Sequence, residues 1–249
     1  MKKIFLFICC LFCVGAALAV RQKSYQDIDF KEVDKYTLDA PIIDNEKDLP
    51  DLVTYLIKPY KEDIQKARAV FAWIVYNIDY DDYEYRFDQN AIDKGGKFES
   101  LGDILETRTG VCRDIADLYN KMAQKAGLKT QVVTGIAGQN LTKKNEKYNR
   151  HSWLVIDIDG EWEYLDPTWA IQGQKAFQNV TKDRQYRREM KQRLKDKDRL
   201  NPRKERNVGN TYFLADKDAF SQTHYPDDEK WQLQRKPVSL TKFLSRSQQ

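Results

Sequence analysis

Hydrophobic and polar positions repeat with two different periods along this chain, and the period changes near residue 128. Apolar residues recur every three or four positions from Glu62 to Asn77 and from Cys112 to Ala126. This spacing places the apolar side chains on one face of a helix. Both segments are therefore predicted to be helices with a buried face, and in the first we expect Lys66 and Arg68 to point toward solvent.

Shorter signals surround these two helices. A short helix is predicted between Asp48 and Tyr60, ending near Pro59, and another at residues 100–105. Residues 20–50 are polar with scattered apolar positions, which favours an extended arm or a short strand-like segment leading into the domain.

Beyond residue 128 the pattern favours strands. Residues 129–137 predict one strand, and the runs 151–158 and 161–169 predict two more. Asp159-Gly160 stands between the last two runs, and this dipeptide is a strong signal for a two-residue hairpin turn.

The hairpin fixes a register that can be tested. With Asp159-Gly160 as the turn, cross-strand partners have numbers that sum to 319, so His151 faces Thr168 and Trp153 faces Asp166. His151 and Asp166 then lie on the same face as diagonal neighbours, about 7–8 Å apart at the backbone. Asp157 shares this face but lies near the turn, so it is the weaker partner for His151.

Cys112 stands at the first turn of the second predicted helix, directly after the turn signal at residues 108–110. Unpaired N–H groups and the positive end of the helix dipole favour a thiolate at such a position. The position is therefore suited to a nucleophile.

The first nineteen residues form a separate segment. Lys2 and Lys3 precede an apolar run, and Ala17-Leu18-Ala19 has the small-x-small pattern of a cleavage site. This predicts a secretory signal peptide cleaved after Ala19, hence an exported, periplasmic or secreted protein. A membrane anchor is the alternative, but the apolar run is short for a span. A lipoprotein anchor on one of the segment's three cysteines is the other, although none of them follows a small residue.

Composition limits the classes of function. Removal of the leader leaves Cys112 as the only one of four cysteines, which excludes an intramolecular disulfide in the mature chain. Removal also lowers the formal net charge from +4 to +2, a balance that gives no case for specific nucleic-acid binding. Residues 182–206 are strongly basic, which predicts a solvated insertion or, alternatively, a contact for an anionic polymer or membrane surface.

A nucleophilic thiol needs a base, and the base needs a group that fixes its tautomer. Of the two histidines, His151 has Asp166 within predicted reach, whereas His224 has no obvious acidic partner and is interpreted as structural. Asp166 before Pro167 could equally form a turn, but the hairpin register selects it independently. The candidate catalytic residues are Cys112, His151 and Asp166.

Three segments carry a resemblance to a known family. They read ARAVFAWIVYNIDYD, TGVCRDIADLYNKMAQKAGL and RHSWLVIDIDGEWEYLDPTWA. Together they resemble the transglutaminase-like superfamily of papain-type folds. The later segment YFLADKDAFSQTHYPDDEKWQLQRKPVSLTKF is similar to the branch that contains kyphoscoliosis peptidase, cytokinesis-associated transglutaminase-like proteins and exported bacterial members.

The resemblance implies an α+β fold in which a helix bearing the cysteine packs on an antiparallel sheet bearing His and Asp. It implies Cys112 as nucleophile, His151 as base and acid, and Asp166 as the group that orients His151. Tyr80 is a candidate second donor to the oxyanion or a substrate contact, with a packing aromatic as the alternative. No cofactor or metal is implied, and the chain has no calcium-site motif.

Five segments are predicted: a signal peptide (1–19), an N-terminal arm (20–61), a catalytic core (62–181), a basic insertion (182–206) and a C-terminal part of the same domain (207–249). The resemblance implies acyl transfer through a thioester on a protein or peptide substrate, a cell-wall peptide among the candidates. Attack by water would give a peptidase or deamidase, and attack by an amine a transglutaminase. The alternative is a catalytically silent scaffold that retains the fold.

Overall fold

A computed structural model of the protein describes residues 24–80, 100–139, 141, 149–172 and 206–246. The predicted signal peptide and nearly all of the basic insertion lie outside the described residues. The five predicted segments therefore stay a prediction. No helix among the described residues is both long and apolar enough to span a bilayer.

Eight α-helices and two short 3₁₀ helices occur in the described part of the chain. The α-helices are α1 (Lys31–Leu38), α2 (Leu49–Ile57), α3 (Asp63–Asn77), α4 (Leu101–Thr107), α5 (Cys112–Lys125), α6 (Pro167–Gln172), α7 (Lys217–Phe220) and α8 (Leu240–Arg246). The 3₁₀ helices are Glu46–Asp48 and Glu229–Trp231. The predicted helices at 48–60, 62–77, 100–105 and 112–126 are confirmed.

The strands form one large sheet and one small one. They are β1 (Asp79–Tyr80), β2 (Thr109–Gly110), β3 (Thr130–Ala137), β4 (Arg150–Ile158), β5 (Glu161–Leu165), β6 (Phe213–Ala215) and β7 (His224–Pro226). The large sheet has the order β6-β5-β4-β3-β7 with every pair antiparallel. The small sheet pairs β1 with β2 in parallel. This arrangement of helices and an antiparallel sheet confirms the predicted α+β fold.

The main core lies between the helices and one face of the large sheet. Helix α5 packs against α3 on one side and against β3 and β4 on the other. The alternating residues Leu154, Ile156 and Ile158 of β4 belong to this core, as the two-residue period of a strand requires. Trp153 and Val155 belong instead to a second cluster, around Phe220. The sheet is therefore covered on both faces.

The register of the hairpin is confirmed, but its second strand is shorter than predicted. Asp157 pairs with Trp162 and Leu154 pairs with Leu165, so partner numbers sum to 319. Strand β5 ends at Leu165, and the pairs predicted farther from the turn are not formed. The chain leaves the sheet there because Pro167 cannot donate a backbone hydrogen bond to a ladder and instead begins α6. Asp166 thus lies at the junction between strand and helix.

Two expectations about the N-terminal half are wrong. Residues 31–38 form α1 rather than an extended arm. Arg68 is not in solvent but is 1 % exposed, and its guanidinium forms an ion pair with Asp34 of α1. The same guanidinium donates to the carbonyls of Val208 and Gly209. Periodicity within α3 could not show this, because the partners come from distant parts of the chain.

Strand β7 approaches β3 closely at Gly135. A Cβ atom on Gly135 would lie 2.1 Å from the Tyr225 carbonyl oxygen, 2.6 Å from Trp153 Cη2 and 2.9 Å from Pro226 Cα. No side chain fits in this space. Gly135 is therefore what allows β7, and with it His224, to pair closely with β3 at the edge of the sheet.

Candidate active site

Cys112 is the first residue of α5. The Asp114 carboxylate accepts the backbone N–H of Val111 at 3.0 Å, which fixes the start of the helix. Cys112 is 8 % exposed and is a free cysteine within the part of the chain that the structure describes. Because the first N–H groups of a helix lack intrahelical partners, the backbone around the Cys112 sulfur offers hydrogen-bond donors.

His151 and Asp166 form the central contact of the site. His151 lies near the start of β4, and its Nε2 is 2.8 Å from Oδ2 of Asp166. The other carboxylate oxygen, Oδ1, accepts the backbone N–H of Trp169 at 2.9 Å. Because that N–H belongs to α6, the helix that replaces the predicted end of the hairpin strand also orients the carboxylate.

The two groups shift each other's pKa in opposite directions. Burial by itself lowers the pKa of His151, but the charge and hydrogen bond of Asp166 outweigh it and raise the pKa to about 10. Burial raises the pKa of Asp166, but the charge and hydrogen bond of His151, together with His224, lower it well below its usual range. The pair is therefore an imidazolium and a carboxylate at neutral pH.

Cys112 lies next to the same imidazole. A hydrogen bond and a charge interaction with Cys112 both add to the raised pKa of His151. Since Nε2 faces Asp166, Nδ1 is the ring nitrogen left for the sulfur. The structure thus brings Cys112, His151 and Asp166 into one neighbourhood, and their catalytic roles stay a prediction.

His224 is a further member of the site that the sequence interpretation missed. Its Nε2 lies 3.2 Å from Oδ2 of Asp166, the oxygen that His151 also contacts. Burial lowers the pKa of His224 to about 4, despite the neighbouring carboxylate, so its imidazole is neutral at pH 7. The acidic partner was not visible in the sequence because β7 reaches Asp166 only through its pairing with β3.

Aromatic rings surround the two histidines. His224 stacks on Phe220 with ring centroids 3.8 Å apart, and Trp169 lies 4.3 Å from it on the centroids. His151 lies 5.7 Å from Trp169 and 6.1 Å from Trp153. These rings limit the access of water to the Asp166 carboxylate, which is fully buried.

Tyr80 lies in the small sheet beside the start of α5. The parallel pairing of β1 and β2 sets Tyr80 opposite Gly110, two residues before Cys112. Tyr80 is also buried. Its part in oxyanion or substrate binding stays a prediction.

One group of side chains in the described ranges has the donor atoms and spacing for a metal ion. Ligand atoms of His151, Asp166 and His224 all lie within 4.8 Å of one another. Both imidazoles, however, lie within hydrogen-bond distance of the same Asp166 oxygen. Hydrogen bonding therefore accounts for the cluster without a metal, and the expectation that no metal is required stays a prediction.

Comparison with known proteins identifies the core that carries this site. Residues 50–167 match the family model described as the transglutaminase-like superfamily. Over this range the chain is similar to that superfamily. The matched range contains Cys112, His151 and Asp166, whereas His224 lies beyond it.

Similar curated proteins align with more of the chain than residues 50–167. Kyphoscoliosis peptidase of Homo sapiens is 24% identical over 223 residues, which are 87% of this chain and 29% of the relative. Hillarin of Drosophila melanogaster is 26% identical over 228 residues, which are 87% of this chain and 24% of the relative. The chain thus spans less than a third of the length of these curated relatives.

Solved structures give partial likenesses. The periplasmic domain of TgpA from Pseudomonas aeruginosa has a TM-score of 0.41 at 18% identity, covering 61% of this chain and 52% of that one. A TGase structure has a TM-score of 0.38 at 15% identity, covering 68% of this chain and 38% of that one. The similarity to the transglutaminase-like superfamily therefore rests on the sequence match over residues 50–167.

Proposed function

We propose that the protein is a cysteine-dependent acyl-transfer enzyme that acts on peptide or glutamine amide bonds through a thioester. The proposal is supported by the 2.8 Å contact between His151 and Asp166, together with the hydrogen-bond and charge interaction of His151 with Cys112. In this arrangement Asp166 holds the imidazole by Nε2 and leaves Nδ1 to exchange a proton with the thiol. The same arrangement occurs at the mouth of a helix, where backbone N–H groups can meet an oxyanion.

The first half of the reaction forms the acyl-enzyme. The Cys112 Sγ attacks the amide carbonyl carbon, and His151 holds the proton of the thiol. The resulting oxyanion accepts the Cys112 backbone N–H, and Tyr80 is the candidate for the second donor. The carbon–nitrogen bond then breaks, and the leaving nitrogen takes the proton from His151. The products are a thioester on Cys112 and a free amine or ammonia.

The second half regenerates the enzyme. The neutral imidazole takes a proton from water or from a second amine, whose oxygen or nitrogen attacks the thioester carbon. The carbon–sulfur bond breaks, and the electron pair returns to sulfur while the proton stays on His151. Water gives peptidase or deamidase activity, and an amine gives transglutaminase activity.

The rate of alkylation of Cys112 by iodoacetamide, measured against pH, tests the proposal. Below its pKa near 8.5 an ordinary thiol reacts about ten times faster for each added pH unit, because its thiolate fraction rises in that proportion. A thiolate paired with the His151 imidazolium reacts at a nearly constant rate between pH 6 and pH 8. Mass measurement of the peptide that contains Cys112 separates it from the leader cysteines.

Two variants and a matched control make this experiment decisive. His151→Ala is expected to restore the ten-fold rise per pH unit, and Asp166→Asn to slow alkylation at pH 6. Asp157→Asn is the matched control, because Asp157 lies in the same hairpin, and its carboxylate accepts hydrogen bonds from the Gly160 N–H and the Lys129 ammonium rather than from His151. A wild-type profile that rises like that of a free thiol, and that His151→Ala leaves unchanged, would refute the proposal.

Trapping of the acyl group on Cys112 names the substrate class. A cell or cell-wall extract is incubated with the protein, and the mass added to the Cys112 peptide identifies the acyl group. We propose that the enzyme is exported and meets its protein or peptide substrate outside the cytoplasm, on the basis of the leader-like residues 1–19. The mass of the mature N-terminus tests the export directly.

A non-catalytic scaffold with the same fold is the second candidate function. The basic residues 182–206 favour it, because they offer a contact surface that chemistry at Cys112 does not need. For a scaffold, Cys112→Ala leaves the biological activity intact. For the enzyme, the same substitution abolishes it.

A further inference from the structure

Three nitrogen atoms lie within hydrogen-bond distance of the Asp166 carboxylate. Its Oδ2 lies 2.8 Å from Nε2 of His151 and 3.2 Å from Nε2 of His224, and its Oδ1 accepts the Trp169 N–H. An ionised carboxylate can only accept hydrogen bonds. Both Nε2 atoms must therefore carry a hydrogen, and His224 is a donor rather than a bystander.

Thr223 borders the other ring nitrogen of His224. The Thr223 hydroxyl oxygen is 2.9 Å from Nδ1 of His224. The same hydroxyl donates to the Phe220 carbonyl at 3.2 Å. Because a hydroxyl has one hydrogen, this contact does not fix the tautomer, and it is the Asp166 carboxylate, which can only accept, that requires the ring hydrogen on Nε2.

The surroundings of His224 hold the ring in this orientation. Phe220 and Trp169 pack against its ring, and β7 pairs with β3, where Gly135 allows the close approach. His224 is 3 % exposed, so water does not replace its contact with Asp166. Among the described residues, Asp166 and His151 are the charged or titratable side chains that interact with the ring, and the Phe220 backbone is a further hydrogen-bond partner.

We infer that His224 is a positioning residue: its neutral imidazole donates from Nε2 to Asp166 and, with the Trp169 N–H, fixes the carboxylate that holds His151. This role rests on the proposed function only in so far as His151 takes part in acyl transfer. The donor matters most when His151 has given its proton to the leaving group. Asp166 then remains ionised in a water-poor site, and His224 supplies a hydrogen bond that does not depend on the state of His151.

His151 and His224 share Oδ2 of Asp166, and this should affect the NMR resonance of the His151 Nε2 proton. Two donors on Oδ2 compete, so each hydrogen bond is weaker than it would be alone. Loss of the His224 donor makes the carboxylate a stronger base toward His151. The Nε2 proton of His151 should then be drawn toward Asp166, which moves its resonance to lower field.

NMR of the protein labelled with ¹⁵N in histidine can test this, because the chain contains only two histidines. In the wild type at pH 7 we expect His224 to be neutral with its proton on Nε2, and His151 to be doubly protonated with a low-field Nε2 proton. In His224→Phe, which keeps an aromatic ring between Phe220 and Trp169, the His151 proton should shift to lower field. In His224→Gln, which restores an N–H donor, it should return toward the wild-type position.

Several results would overturn the inference. The first is a wild-type His224 with its proton on Nδ1, which needs no variant to detect. The second is a His151 resonance that His224→Phe and His224→Gln leave at the same position, since a ring that merely fills space predicts no difference between a donor and a non-donor.

The tautomer of wild-type His224 keeps the inference testable if the His224 variants do not fold. A ring hydrogen on Nε2 is the expected result, because the Asp166 carboxylate can only accept, and a hydrogen on Nδ1 would contradict the donation to Asp166. None of these measurements uses a substrate. An unchanged His151 resonance in the His224 variants overturns the role of His224. A Cys112 alkylation rate that rises with pH like that of a free thiol overturns the proposed function. Either result can occur without the other.

Discussion

The replacement Gly135→Ala should separate β7 from the rest of the sheet. The added methyl group would lie 2.1 Å from a backbone oxygen and 2.9 Å from a backbone Cα of β7, and 2.6 Å from a ring carbon of Trp153. The first contact is far below van der Waals distance, and two of the three partners are backbone atoms that cannot rotate away. The strand pair Gly135–Pro226 must therefore open.

The magnitude follows from the kind of contact. Overpacking of a protein core typically costs about 1–3 kcal/mol, and a clash with backbone belongs at the upper end of that range. For a chain of this size a loss of about 3 kcal/mol lowers the melting temperature by roughly 6–12 °C. Because β7 carries His224, the hydrogen bond from His224 to Asp166 should be lost at the same time.

Thermal unfolding followed by circular dichroism measures the first effect, and the His224 resonances report the second. Gly209→Ala is the matched control, since a Cβ at Gly209 would meet no atom within 4 Å. Its unfolding free energy should stay within about 0.5 kcal/mol of the wild type. Equal melting temperatures for the two variants, with unchanged His224 resonances in Gly135→Ala, would refute the reasoning about β7.

Three further predictions concern buried polar groups. Arg68→Met should reduce the free energy of unfolding in denaturant titrations by about 3 kcal/mol, because it leaves the partly buried Asp34 carboxylate without its partner; a loss below about 1 kcal/mol would contradict this. Tyr164→Phe should reduce the free energy of unfolding by about 1–3 kcal/mol, because the Tyr164 hydroxyl donates to the Trp231 carbonyl and accepts the Leu233 N–H. An unchanged denaturation midpoint would show that water replaces both hydrogen bonds. The fold lowers the pKa of His224 from 6.5 to about 4. Between these two pH values the unfolded chain binds a proton at His224 that the folded chain does not. The wild type should therefore lose up to about 3 kcal/mol of unfolding free energy as the pH falls from 6.5 to about 4. His224→Phe should not show this part of the loss in stability measured against pH, and an equal loss in both proteins would show that His224 is already protonated in the fold.

The local elements of this protein follow from its sequence. The helical period from Cys112 to Ala126 predicts α5, and Asp159-Gly160 predicts both the hairpin and its register. Each depends on neighbours within a few residues, which is the range over which backbone geometry and side-chain periodicity act. This is why the cysteine at the helix start and the histidine near the start of β4 could be selected without a structure.

The long-range contacts depend on the tertiary structure. The sequence shows Arg68 on what looks like a solvent face of α3, but a helix period cannot reveal that Asp34 and the carbonyls of Val208 and Gly209 cover that face. The sequence likewise shows His224 without an acidic neighbour. Its contact with Asp166 exists only because β7 pairs with β3.

Asp166 shows both sources of information at one residue. The hairpin register places it near His151, and this much comes from the sequence. The register also predicts a continuing strand, whereas the chain turns into α6 at Pro167 and brings the Trp169 N–H to the carboxylate. The atoms that surround Asp166 come from segments that meet only after folding. A buried carboxylate bonds to the donors that tertiary packing brings close to it, and the order of residues in the sequence does not reveal which donors these are.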